Sequence, residues 1–234
     1  MKVPRGARMK TLRKNRWKGF LLLGALVLGN LALGTPGGKA EEKFPLAVMP
    51  FVTVSMGDPE RGAVCPVCQG IYRKGPLPPG AQRTLTGLLH KKMTALGAFA
   101  VFSLEQVEEV MARMKGQIEE TPIPHALQVG EELHADFVLV GFLYRFDERV
   151  GSSWASQKPA SVGFDLHLFR LRDSKMVWLG KFDETQAPLS ENVLKLGAFL
   201  RRKASWLTAE ELAGVGMDEI LKKLPTAKEL EEAR

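Results

Sequence analysis

The sequence predicts an α/β fold of the α+β-like kind: a mixed sheet of about five strands flanked by helices, with further helices at the C-terminal end. Three observations predict it. Asp136 to Phe146 reads DFVLVGFLYRF, an almost unbroken apolar run, as expected of a central strand covered on both faces. Before it, strand-like runs alternate with helical stripes. After it, an alternating segment, a turn and a second extended segment make a hairpin.

The elements follow in order. Phe44 to Phe51 (FPLAVMPF) is a short apolar run bounded by prolines, which suits a buried strand. Ser55 to Gly80 is rich in Gly and Pro, carries both cysteines and has no periodicity. A loop of that length is usually functional or tied down. Leu85, Leu88, Leu89, Met93 and Leu96 form one stripe, so a helix spans about 81–96 and ends at Gly97. Phe99 to Phe102 is a short strand. Ser103 with Gln106 is a capping box for a second helix, and after Pro122 and Pro124 a third runs to about Leu133.

A Gly/Ser-rich loop is expected from Gly151 to Pro159. Val162, Phe164, Leu166 and Leu168 alternate with Gly163, Asp165 and His167, the pattern of a half-buried strand. Residues 172–175 make a turn, and Met176 to Phe182 pairs back. A helix is expected over about 191–203. Another follows the capping box of Thr208 and Glu211 and stops before Pro225. The charged tail, 226–234, is expected to fray.

Domain organisation follows from the first 34 residues. Eight basic residues, Lys2 to Lys18, precede an apolar run from Phe20 to Gly34, the layout of a secretory signal or N-terminal anchor. That run has 15 residues, short of the roughly 20 that span a bilayer. Ala32, Gly34, Gly38 and Ala40 offer small-residue cleavage positions, and Met9 is an alternative start. Residues 35–43 read as a linker, and 44–225 as one domain with its cysteine-bearing loop at 55–80. An exported, periplasmic or cell-envelope protein is expected. Membrane attachment would come only through an uncleaved N-terminal segment. The first cysteine is Cys65, so no lipidated N-terminal cysteine is expected.

The formal charge of +7 belongs to the leader. Residues 1–40 hold nine basic residues and no acid, and the rest carries 24 basic against 26 acidic residues. Nucleic-acid binding is therefore not indicated. No phosphate-binding glycine loop, no G-x-S-x-G elbow and no paired carboxylates in an acid/base arrangement occur.

The conspicuous motif is Cys65-Pro-Val-Cys68. An oxidising compartment favours a disulfide, closing a very small loop. C-x-x-C spacing also occurs in thiol–disulfide oxidoreductases, with Arg73 and Lys74 available to favour a thiolate. The following segment is a poor helix start, however. Cys-Pro-Val-Cys-Gln-Gly also has the form of half a zinc site, needing two more ligands from His90, His125, His134 or a second chain. Gln69 stands where haem attachment requires His. Asp165 and His167 share one face of a strand. They would pair with each other or meet solvent, and two side chains alone make neither a triad nor a metal site. His134 and Asp136 flank the central strand, with His134 expected to pack near a helix end.

Ala47-Val-Met-Pro-Phe51, Gly97-Ala-Phe99, Gly130-Glu-Glu-Leu-His-Ala-Asp136 leading into Phe137-Val-Leu-Val-Gly141, and Asp173-Ser-Lys-Met-Val-Trp178 occur in this order. Together they resemble a group of bacterial envelope domains. The group includes the curli-secretion lipoprotein, the N-terminal domain of TolB, and the outer-membrane lipoprotein that activates a penicillin-binding protein. The resemblance covers about residues 44–185. It implies a non-catalytic protein that binds envelope proteins in assembly, secretion or regulation, with a homo-oligomer among its forms. Two departures are the missing lipidated cysteine and the cysteine loop itself. The alternative function is a periplasmic thiol–disulfide oxidoreductase using the C-P-V-C pair. Contact surfaces are expected on the hairpin 162–182, on the cysteine loop, and at Arg201, Arg202, Lys203 and Trp206. No cofactor is expected apart from zinc as the third reading of the cysteines.

Overall fold

The sheet is organised around β6, Phe137–Asp147, whose side chains are buried along nearly its whole length. The computed structural model describes residues 43–54, 62–114, 121–186 and 205–232. The leader, the helix expected over 191–203, residues 55–61 of the cysteine loop, and Arg201, Arg202 and Lys203 lie outside the described residues. Within them, no helix is long and apolar enough to cross a membrane.

The strands preceding β6 are β1 (Phe44–Val48), β2 (Val52–Thr53), β3 (Ala63–Val64), β4 (Ile71–Tyr72) and β5 (Phe99–Val101). Those following it are β7 (Val150–Gly151), β8 (Ser156–Lys158), β9 (Ser161–Arg170) and β10 (Lys175–Thr185). The main sheet runs β10-β9-β6-β1-β5, with β2 added beside β6, six strands in all. β1 is parallel to β5 and β6, while β6–β9 and β9–β10 are antiparallel. The mixed α+β architecture is thus the one the sequence predicts.

Five helices are described: α1 (Ala81–Leu96), α2 (Leu104–Arg113), α3 (Pro122–Glu132), α4 (Ala209–Leu221) and α5 (Ala227–Glu232). Gly97 ends α1 with φ 69°, a left-handed conformation that suits glycine. Ser103 caps α2 and Thr208 caps α4, each in a reciprocal capping box with Gln106 or Glu211.

The sheet separates two cores. On one side, Leu85, Leu89 and Met93 of α1 and Leu212, Met217 and Ile220 of α4 share one apolar cluster with Leu46 of β1, Leu139 of β6 and Phe164, Leu166 and Leu168 of β9. On the other, Val107 and Val110 of α2, Val129 of α3, and Ala63, Cys65 and Tyr72 of the β3–β4 hairpin pack against Val138, Val140, Phe142 and Tyr144.

Four local expectations are corrected. Part of the 55–80 loop is a hairpin, in which β3 pairs antiparallel with β4; two-residue strands leave no periodic trace. The 151–159 loop contains β8 and its pairing with β7. β9 is buried on both faces, because its polar face is covered by the distant cysteine hairpin. The hairpin 162–182 is therefore no open contact surface along β9, which lies inside the sheet between β6 and β10. Finally, part of the tail is helical. Arg170 donates to the carbonyls of Leu230 (2.8 Å) and Glu231 (2.9 Å), and Leu230 is buried.

Candidate functional site

Residues 65–70 form a compact knuckle between β3 and β4. Cys65 N–H donates to the Gly70 carbonyl (2.8 Å), and Gln69 N–H donates back to the Cys65 carbonyl (3.2 Å). Pro66 has no N–H and a fixed φ. The next two amides, Val67 and Cys68, both point at Cys65 Sγ, each at 3.4 Å. Gln69 completes the reversal at φ 57°. A Cβ on Gly70 would meet Lys181 Nζ, Cys68 Sγ and Tyr72 Cε2 at 3.1–3.2 Å, so the knuckle lies tightly on the sheet.

Beneath it are Asp165 and His167, on the same face of β9 and both fully buried. Cys65 Sγ lies 3.4 Å from His167 Nε2, and Cys68 Sγ lies 3.7 Å from Asp165 Oδ2. His167 Nδ1 is 3.2 Å from Met176 Sδ. A proton on Nδ1 donates there, and that assignment leaves the Nε2 lone pair facing the sulfurs. Tyr144 donates its hydroxyl to Asp165 Oδ2 at 3.0 Å. Tyr72 of the hairpin stacks on Tyr144, centroids 4.0 Å apart and nearly parallel. Asp165 Oδ1 lies 3.1 Å from His167 Nε2, yet it is buried with no hydrogen-bond partner.

Burial, first of all, pushes the Cys65 thiol up to about 12. Burial likewise raises both tyrosine hydroxyls, with the Asp165 charge adding to it. Beside the cluster, Arg145 is held by Ser161 Oγ (2.6 Å), the Arg73 carbonyl (2.6 Å) and Asp183 Oδ1 (2.5 Å). It thereby ties the segment after the hairpin to β9 and β10.

Both cysteines are free thiols, so the disulfide favoured by the sequence is not formed here. The partners expected for a zinc half-site are not the ones that arrive. His90 bonds the Phe102 carbonyl (2.9 Å). His125 is buried in α3. His134 is exposed in the turn after α3 with φ 53°. Asp165 and His167, set aside as an isolated pair, meet the cysteines instead. The sequence signal was present as D-x-H on a strand whose polar face needed a cover, but nothing local named that cover. Trp206 is half-buried, and its backbone N–H donates to the Ser153 carbonyl at 2.8 Å. This places it beside the β7–β8 tip that carries Trp154, 84% exposed.

Chemically, the cluster offers two sulfurs, one imidazole nitrogen and one carboxylate oxygen within 4.8 Å of one another. A thiol pair can form a disulfide or attack one, but attack requires access, and Cys65 is fully buried.

No protein-family model and no curated protein sequence matches the chain. Solved structures with a similar fold include the PelC dodecamer from Paraburkholderia phytofirmans (TM-score 0.45, 12% identity, covering 76% of this chain and 85% of that one). Lipoprotein GNA1162 from Neisseria meningitidis has a TM-score of 0.42 at 15% identity, covering 68% and 93%. The LpoB C-terminal domain from Salmonella enterica has 0.39 at 12%, covering 61% and 83%. These likenesses concern fold. At such identities and TM-scores they carry no argument about partners or activity.

Proposed function

We propose that this chain is an exported cell-envelope protein that acts by binding other envelope proteins rather than by catalysis. The observation that carries the reading is the exposed apolar tip of the β7–β8 hairpin. Trp154 stands out from the β7–β8 tip, Val150 is half exposed in the same hairpin, and Trp206 is tied alongside through Ser153. A tryptophan this exposed, on a hairpin that also exposes a valine, marks a contact surface, because its burial supplies much of the energy of association. The basic-then-apolar opening of the sequence supports the location. A homo-oligomer is one form such contact takes.

The buried cysteine cluster supports the same side of the choice. Cys65, Asp165 and His167 are enclosed, which leaves a substrate disulfide no approach to the first thiol.

The test places a photo-cross-linking residue at position 154 of the full chain in growing cells. A discrete adduct with an envelope protein, lost when Trp206→Ala is added, supports the reading. A chain that forms no adduct but reduces a protein disulfide with turnover overturns it.

A further inference from the structure

We propose that Cys65, Cys68, Asp165 and His167 bind one Zn²⁺ in a closed tetrahedral site that fastens the β3–β4 hairpin to β9. This stands independently of the partner-binding reading. It rests on how four donor atoms are aimed.

The first observation is spacing. Zinc sits about 2.3 Å from sulfur and about 2.0–2.1 Å from nitrogen or oxygen. Tetrahedral angles then put S and N about 3.5 Å apart, and N and O about 3.3 Å apart. Cys65 Sγ to His167 Nε2 is 3.4 Å, and His167 Nε2 to Asp165 Oδ1 is 3.1 Å. Cys68 Sγ is 3.7 Å from the Asp165 carboxylate, at Oδ2, and one ligand atom from each of the four residues lies within 4.8 Å of the others.

The second observation is the unpartnered oxygen. Asp165 Oδ2 accepts from Tyr144 and lies 3.7 Å from Cys68 Sγ, while Oδ1 is buried, lies 3.1 Å from His167 Nε2 and accepts no hydrogen bond. A fully buried carboxylate oxygen without a partner is costly. With the imidazole proton on Nδ1, both Nε2 and Oδ1 present lone pairs to the same point, and a cation there resolves the conflict.

The third observation is the supporting shell. The Met176 thioether, 3.2 Å from Nδ1, can receive a proton placed there, and with that assignment Nε2 is the ligating nitrogen. Tyr144 fixes the carboxylate rotation, and Tyr72 stacks on Tyr144 from the hairpin side. The Val67 and Cys68 amides donate to Cys65 Sγ, which stabilises a thiolate. On binding, each thiol releases its proton to solvent and forms a Zn–S bond, the imidazole binds neutral, and no electron is transferred.

Two thiolates with an imidazole select zinc over the hard cations, which prefer all-oxygen sites. Four protein ligands leave no open position, so the ion's role is structural. It joins residues 65 and 68 to residues 165 and 167, and so holds the hairpin over the polar face of β9.

The test uses the full chain purified without chelator or reductant. Metal analysis is expected to give one zinc per chain. Exchange to Co²⁺ is expected to give the intense visible and thiolate charge-transfer bands of a tetrahedral site with two sulfurs. Tyr144→Phe, which keeps the stacked ring, is expected to weaken zinc affinity about 10- to 100-fold. His167→Gln and Asp165→Asn are expected to lose the cobalt spectrum. A chain that takes up no zinc even after reduction overturns the proposal, as does one whose affinity is unchanged in both ligand variants. The wild-type cobalt titration decides the matter where variants fail to fold. A zinc-free chain that still cross-links its partner through position 154 overturns the metal site alone.

Discussion

The two faces of β9 solve the same problem by different means. One face presents Val162, Phe164, Leu166 and Leu168 to an apolar core shared with α4 and α1. There burial follows from apolar area, and each contact is replaceable by another of similar volume. The other face presents Asp165 and His167 to a hairpin with little core of its own, and Gly163 to the Arg145 guanidinium. There burial is stable only where each polar atom has a partner in the right direction. The difference teaches that one strand can be held by area on one side and by aimed ligands on the other, and that the two sides should fail differently.

The largest expected effect tests the area-driven face. Phe164 packs edge-on against Phe51 and tilted against Phe182. Phe164→Ala should cost about 3–5 kcal/mol, and Phe164→Leu less than about 1.5 kcal/mol. Both losses should be the same with zinc and with chelator, measured by urea unfolding. A cost that changes with zinc would show the faces coupled through the strand and break the comparison.

Removing metal tests the other face. Free zinc at 100-fold above its dissociation constant should stabilise the fold by about 2.7 kcal/mol, and chelation should abolish this. Hydrogen exchange should then rise in residues 62–72 while α1 keeps its protection. Equal loosening of α1 would mean that the hairpin is not separately fastened.

This contrast also explains which parts were legible in the sequence. α1, the two capping boxes and β6 depend on residues within a few positions of one another, and the structure has them where the pattern predicts. Alternation along β9 was legible too, but alternation reports only that two faces differ. It does not say what covers the polar one. The cover comes from Cys65, 102 residues before His167, on strands too short to leave a periodic signature. Hence the cysteines were visible as a pair and Asp165 with His167 as another, while their convergence was not.

A matched pair of smaller changes sharpens the comparison. Ser103 caps α2 on the hairpin side, and Thr208 caps α4 on the opposite side, with the same reciprocal hydrogen bonds. Replacing either by Ala should cost about 1 kcal/mol. Ser103→Ala should leave zinc affinity unchanged, because the metal contacts the hairpin and β9 and not α2. A fall in affinity with Ser103→Ala but not with Thr208→Ala would extend the metal-dependent region to the whole hairpin-side layer.

The smallest effect concerns the one charged clamp at the end of β9. Arg170 donates to both Asp173 carboxylate oxygens, at 3.0 and 2.7 Å, and also holds the Leu230 and Glu231 carbonyls of α5. That hydrogen bonding lowers the Asp173 pKa from 3.8 to about 2, and Lys175 adds a weaker attraction at 3.8 Å. A carboxylate whose folded pKa is depressed stabilises the fold above its unfolded pKa and loses that contribution as pH falls through the folded value. Protection of the α5 amides should therefore be constant above about pH 4 and decline towards pH 2. Asp173→Asn should show the weaker protection at every pH. Arg172 with Glu231 is a further charged contact at this joint, so the titration is best repeated in Glu231→Gln. If α5 stays protected to pH 2 in that background, the buried Ala227 and Leu230 hold the tail without the clamp. The helix-packed side of the sheet would then be secured by apolar area even at its polar end.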